Sequence, residues 1–289
     1  MTHVVSADVA DAFATTARLM EYDFVRTALA AAALLGILAG IISPLIVLRR
    51  MSFGVHATSE LALMGAAAAL FLGLNLSVGA TLGSISAAIV LAALGFKGGN
   101  DAAVGVVMSF GMGLSLLMLH LYPGNSSTAL ALLTGQIVGV SGTGVGALSV
   151  VTVIAVVTVV ALWRPLLFSS ADPEVAAVSG VPVKAMAIVF AVLLGITAAQ
   201  AVQIVGVLLV MALLITPGAS AAAITSNPVA AVVWSVIFAL LAAVGGVVLS
   251  LAPGLPVSVV AAFISFGIYL ICRAVGGFRS RTITLNSGA

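Results

Sequence analysis

His56 and Glu60 stand four residues apart in MSFGVHATSELALMG, Met51 to Gly65, a stretch that otherwise has the composition of a membrane-spanning helix. At 3.6 residues per turn this spacing stacks an imidazole and a carboxylate on one face, with only the small Ala57, Thr58 and Ser59 between them. One nitrogen donor and one anionic oxygen suit Zn²⁺, Mn²⁺ or Fe²⁺ better than Ca²⁺ or Mg²⁺, which prefer all-oxygen shells. A carboxylate left in hydrocarbon costs roughly 2.5 kcal/mol or more even on lenient insertion scales, so its helix faces a polar cavity, a partner or an ion. A hydrogen bond from Glu60 to His56 or to a neighbouring helix is the plainer alternative. Two ligands make a transient site, because a carrier must release what a four-ligand structural site would keep.

The helix holding this pair belongs to a chain of 289 residues that is 63% apolar and 6% charged, with a mean hydropathy of +1.35. Soluble domains are roughly one-quarter charged, so this is an integral membrane protein. Its Ala, Val, Leu and Gly content favours an all-α, polytopic bundle of close-packed helices over a barrel. Apolar runs near 27–48, 54–74, 78–96, 102–122, 145–164, 183–200, 202–218, 228–250 and 255–274 predict about nine spans, with eight or ten as the bounds. The run from Val183 to Gly218 is too long for one helix and is expected to turn at Gln200 to Gln203. Thr128 to Val140 is too short to span and reads as a re-entrant or surface helix.

Residues 1–24 read as an amino-terminal extension without a signal-peptide pattern, 25–278 as the membrane domain and 279–289 as a cytoplasmic tail. Gly105, Gly111, Gly113 and Gly206 are expected to let helices approach closely, while Pro217 and Gly218 weaken a helix end. The single cysteine, Cys272, can form no internal disulfide.

Basic residues set the orientation. If the first span ends in the cytoplasm, alternation puts Arg49, Arg50, Lys97, Arg164, Lys184, Arg273, Arg279 and Arg281 on that side, leaving only Arg18 and Arg26 outside. This predicts a multi-pass plasma-membrane protein with its amino terminus out and its carboxyl terminus in. The longest connection on that side contains SSADPEVAAVSGVPVK, where Ser170 or Asp172 can cap a short helix, Pro173 can open it, Glu174 suits its positive end and Gly180 can close it. A preformed helix outside the bilayer is something a cytoplasmic partner can push against.

With these residues in view, the chain resembles the membrane subunits of ABC importers for zinc, manganese and iron, the ABC-3 permeases. The resemblance is carried by VLRRMS (Val47 to Ser52) and the small-residue helix after it. It continues through NDAAVGVVMS (Asn100 to Ser109), LLTGQIVGVS (Leu132 to Ser141), ADPEVAAVSGVPV (Ala171 to Val183) and QIVGVLLVMALLITPGASA (Gln203 to Ala221). It implies a dimeric helical permease that receives a divalent metal ion from an extracytoplasmic binding protein and is driven by a separate ABC ATPase. On this resemblance Asp172, Pro173, Glu174, Val175 and Gly180 belong to the coupling helix, about 171–181, that docks in the ATPase. The chain contains no G-x-x-x-x-G-K-[ST], so ATP chemistry falls to the partner and this subunit is not itself an enzyme. No permanently bound cofactor and no nucleic-acid partner are expected; the surroundings are membrane lipid. Family members typically carry an Asp followed four residues later by a His where this chain has His56 and Glu60, so the donor types survive in exchanged order.

Asp101, His120 and Gln203 are further candidate ligands, with plainer roles as helix cap, interfacial histidine and interhelical tie. Two other functions compete: an importer core for a metal chelate of siderophore or cobalamin type, and a proton-coupled secondary carrier in which Glu60 and His56 relay protons. The polar segment from Asp172 to Lys184 argues against the carrier.

Overall fold

The computed structural model describes residues 16, 18–93, 101–124, 137–251 and 254–286. Within them the chain forms twelve α-helices and no strand: α1 (Asp23–Leu48), α2 (Ser52–Phe71), α3 (Leu76–Ala93), α4 (Asp101–Leu121), α5 (Gly142–Ala161), α6 (Trp163–Ala171), α7 (Pro173–Val178), α8 (Val183–Val205), α9 (Val207–Leu214), α10 (Thr216–Ile224), α11 (Pro228–Leu251) and α12 (Val257–Asn286). Seven helices among the described residues are long and apolar enough to cross a bilayer. The apolar stretches Leu76–Leu91 and Leu209–Ile224 fall at the other two of the nine expected spans but are shorter, and the second is interrupted at Ile215. Of the expected short helix at 128–140, residues 128–136 lie outside the described residues, and Ile137–Gly139 form a 3-10 turn with Ile137 buried in the core. Most of residues 1–24 and the last three residues also lie outside them, while the final helix runs on to Asn286.

Helices in lipid gain little from burying apolar surface against one another, so close van der Waals approach has to supply the attraction. The sequence meets this with small residues. α2 and α3 cross antiparallel where a Cβ on Gly65 would run into the Gly79 backbone. α1 and α11 cross where a Cβ on Gly40 would sit 2.5 Å from the Val236 Cα. The helices fall into two groups: α1 packs on α11 with α10 and α5 beside it, and α2 packs among α3, α4 and α8. α9 touches both groups, whereas α1 and α2 scarcely meet along their lengths although they are consecutive. Gly105 and Gly113, expected at close crossings, instead face open space, and of that group only Gly111 is pressed, against the Leu61 side chain.

The corner between α1 and α2 is tight. The Arg50 amide donates to the Val47 carbonyl and the Met51 amide to the Ile46 carbonyl, an arrangement that requires a left-handed residue between them. That residue is Arg50, at φ 56°, where glycine would be the usual choice.

The long run from Val183 does not turn at Gln200 to Gln203. Glutamine is a good helix former, so α8 continues to Val205 and breaks at Gly206, whose φ of 77° and ψ of 161° only glycine adopts without strain. The chain then returns: Gln203 bonds Ser77 near the start of α3, while Gly218 lies against Ser43 near the far end of α1. This return is broken again at Ile215 and Thr216, where the Ser43 hydroxyl donates to the Ile215 carbonyl and accepts the Gly218 amide at 2.8 Å. The Ile215 carbonyl also accepts the Ala219 amide, so what Ser43 alone satisfies is the Gly218 amide, one of the first-turn donors that the helix break leaves over.

The α2–α3 crossing gives a first prediction. Gly65→Ala should lower stability by about 1–3 kcal/mol through overpacking. Gly105→Ala, facing open space, should be neutral or stabilising by up to about 1 kcal/mol. Thermal melts of the two purified variants check the contrast.

Candidate metal site

Glu60 sits near the middle of α2 and is only 5% exposed. Its shielding comes from its own neighbours: Ala57 packs with Leu91 of α3 and Val104 of α4, while Val55, Ala62 and Leu63 belong to the main core. Thr58 and Ser59 turn their hydroxyls back to the Gly54 and Val55 carbonyls, so neither competes for the carboxylate. One side of the helix stays less covered. Phe53, His56, Glu60, Met64 and Phe71 recur at helical spacing, with Phe53 and Phe71 exposed and His56 partly so.

His56 Nε2 and Glu60 Oε1 are 3.9 Å apart, which is too long for a hydrogen bond. The plainer reading, a hydrogen-bonded pair, is therefore not what the geometry contains. Among the described residues, Glu60 Oε2 and His56 Nδ1 are also buried without a hydrogen-bond partner. Two ligand bonds of about 2.1 Å span up to about 4.2 Å, so one transition-metal ion fits between these donors without moving the helix. A buried polar group without a partner is costly, and a cation is the partner that satisfies nitrogen and carboxylate together.

No group of three or more His, Cys, Asp or Glu side chains converges among the described residues. Of the other sequence candidates, His120 and Gln203 lie apart from the pair. His120 is exposed in the last turn of α4, nine residues beyond Gly111, which faces Leu61; that is a displacement of about 13 Å along the helix. The Gln203 amide is engaged at both ends, accepting from Ser77 and donating to the Ala199 carbonyl at 3.1 Å, and so ties α3 to α8. Asp101 begins α4, and its side chain lies outside the described residues.

The segment expected to form a short helix between two spans is helical, as α7. Asp172, rather than Ser170, caps it: Oδ1 accepts the Glu174 and Val175 amides at 3.1 and 3.0 Å, and Pro173 takes the first turn. Gly180 ends it at φ 83°, with its amide on the Ala177 carbonyl and the Val181 amide on Ala176. Only Ala176 is buried; Val175 is exposed and Val178 is 92% exposed. Sequence reasoning missed the grip on the preceding helix, where Arg49 Nε donates to Ser170 Oγ at 2.7 Å and Nη2 to Ser169 Oγ at 3.1 Å. The paired serines before Ala171 and the arginine in VLRRMS were its only signal.

The chain is similar to known membrane proteins over most of its length. Residues 21–276 match the ABC 3 transport family. The manganese transport system membrane protein MntC of Listeria monocytogenes is 30% identical over 264 residues, covering 89% of this chain and 94% of that protein. The manganese import system permease protein ScaB of Streptococcus parasanguinis is 34% identical, over 70% of this chain and 73% of its own. Among solved structures, PsaBC from Streptococcus pneumoniae in complex with Fab superposes with a TM-score of 0.81 at 26% identity, over 91% of this chain and 95% of that one. With a family match that spans the whole helical bundle and both motifs described above, this multi-pass membrane protein belongs to the ABC 3 transport family.

Proposed function

We propose that this chain is the membrane-spanning permease subunit of an ATP-driven importer for a divalent transition metal, with manganese the first candidate because the relatives bear that name. One observation carries the reading: a buried carboxylate and an imidazole on adjacent turns, 3.9 Å apart, each keep a donor atom without a protein partner among the described residues. The ion is the substrate. His56 and Glu60 hold it in passing, and two protein ligands bind weakly enough to let it go.

The remaining ligands come from water or from a second copy of the chain. The less covered side of α2, flanked by exposed Phe53 and Phe71, is the side a twofold partner would close, which makes the transport path run between two subunits. The end bearing Arg49, Arg50, Arg164 and Lys184 faces the cytoplasm, so the amino terminus lies outside and the carboxyl terminus inside. There α7, with Val175 and Val178 bare, docks on a separate ABC ATPase. An extracytoplasmic binding protein delivers the metal to the opposite end. Alternating access follows as ATP binding moves α7.

In liposomes containing the assembled transporter, His56→Ala and Glu60→Ala should each reduce uptake of radiolabelled manganese by about tenfold or more while the ATPase still co-purifies. Unchanged uptake in both would sink the assignment. Glu174→Lys should leave metal bound to the purified complex at the wild-type level and lower binding-protein-stimulated ATP hydrolysis by about tenfold, since it reverses the charge at the positive end of α7 and in the docking face. Stimulated hydrolysis equal to wild type would show that α7 does not transmit the signal.

A further inference from the structure

Three helices meet at one guanidinium. Arg49 is the carboxyl-terminal cap of α1; its Nε and Nη2 donate to Ser170 and Ser169 in the last turn of α6, and its guanidinium carbon lies 4.4 Å from the centre of the Phe190 ring on α8. The two serine hydroxyls pass the contact on by donating to the Leu166 carbonyl, one turn back in α6. Among the described residues no carboxylate pairs with Arg49, and burial pushes its pKa down to about 10, so it stays charged at neutral pH.

A half-buried cation held by hydroxyls and a ring is a poor device for stability alone, since desolvation opposes the gain. It is a good device for fixing direction, because a planar fork with two donors and a stacked face allows one orientation only. The position suits that use. Asp172 is at once the cap that ends α6 and the cap that begins α7, so no loop separates the serines from the external helix. On the other side of Arg49, the α1–α2 corner joins two helices that scarcely touch, and His56 follows seven residues later.

We infer that Arg49 is a positioning residue that carries displacement of α7, through α6, into the α1–α2 corner and so to His56 and Glu60. The inference rests on the importer reading above. It assigns to Arg49 the coupling of ATP use to ion movement, separate from both docking and metal binding.

The test uses the complete transporter in liposomes with its ATPase and binding protein, and reads manganese moved per ATP hydrolysed. Arg49→Lys keeps the cation but loses the two-point grip, and the Ser169→Ala, Ser170→Ala double variant keeps Arg49 but loses its acceptors. Each should lower the ratio by about fivefold or more, with metal bound per complex and ATP hydrolysis preserved. If the lysine variant does not assemble, the serine variant decides. A wild-type ratio in the serine variant would overturn the role of Arg49, as would a proportional loss of hydrolysis and uptake, the signature of mere structural damage. A wild-type transporter that hydrolyses ATP but moves no metal would instead overturn the importer reading itself.

Discussion

Taking a carboxylate out of water is the constraint around which this bundle is arranged. Glu60 is almost wholly covered, and one of its oxygens finds no donor among the described residues. Small residues around it, Ala57, Thr58 and Ser59, bring α3 and α4 close enough to exclude lipid, and the two hydroxyls are turned away onto their own helix. Had either hydroxyl donated to Glu60, the carboxylate would be satisfied by the protein and an ion would gain less by approaching. The proposed ion site thus depends as much on what the neighbours withhold as on what His56 would supply.

The close crossings that shield the site also decide where the protein can yield. Where Gly65 meets Gly79 and Gly40 meets Val236, backbones touch without intervening side chains, and such pairs move together. Compliance is left to places where regular hydrogen bonding stops: Gly206, the Ile215 to Thr216 break and the corner at Arg50. All three border α9 or the gap between the two helix groups. A bundle divided in this way is suited to rocking one group against the other, the kind of motion on which alternating access relies.

Much of this was legible in the sequence because its signals are local. The i, i+4 pair and the Asp172 to Gly180 helix with its Pro173 each declare themselves within a few positions. What escaped depends on contacts between distant segments. Gln203 looks alike as ligand or as tie until Ser77 is brought beside it, 126 positions away in the chain. Ser43 gives no hint of the α10 break it supports, nor Arg49 of two serines more than a hundred residues later. Glycines misled for a related reason: Gly105 and Gly79 are equivalent in composition, and only the packing shows which one has a neighbour. Run length shows that the stretch from Val183 must break but not where, and the backbone angles at Gly206, not the polar Gln200 and Gln203, decide the place.

Among the described residues three helix ends share one hydrogen-bond pattern, with glycine at the left-handed position after α2 (Gly73) and α7 (Gly180) but Arg50 after α1. A residue with a Cβ is less comfortable there than glycine by about 1 kcal/mol. The chain accepts that loss where Arg50, next to Arg49, follows the first long apolar segment in a tight hairpin. Membrane insertion reads such flanking cations when it decides which hairpins to thread and which to hold back. A glycine at position 50 would relieve the backbone but remove one of the two adjacent cations at this hairpin, so both demands meet at one residue.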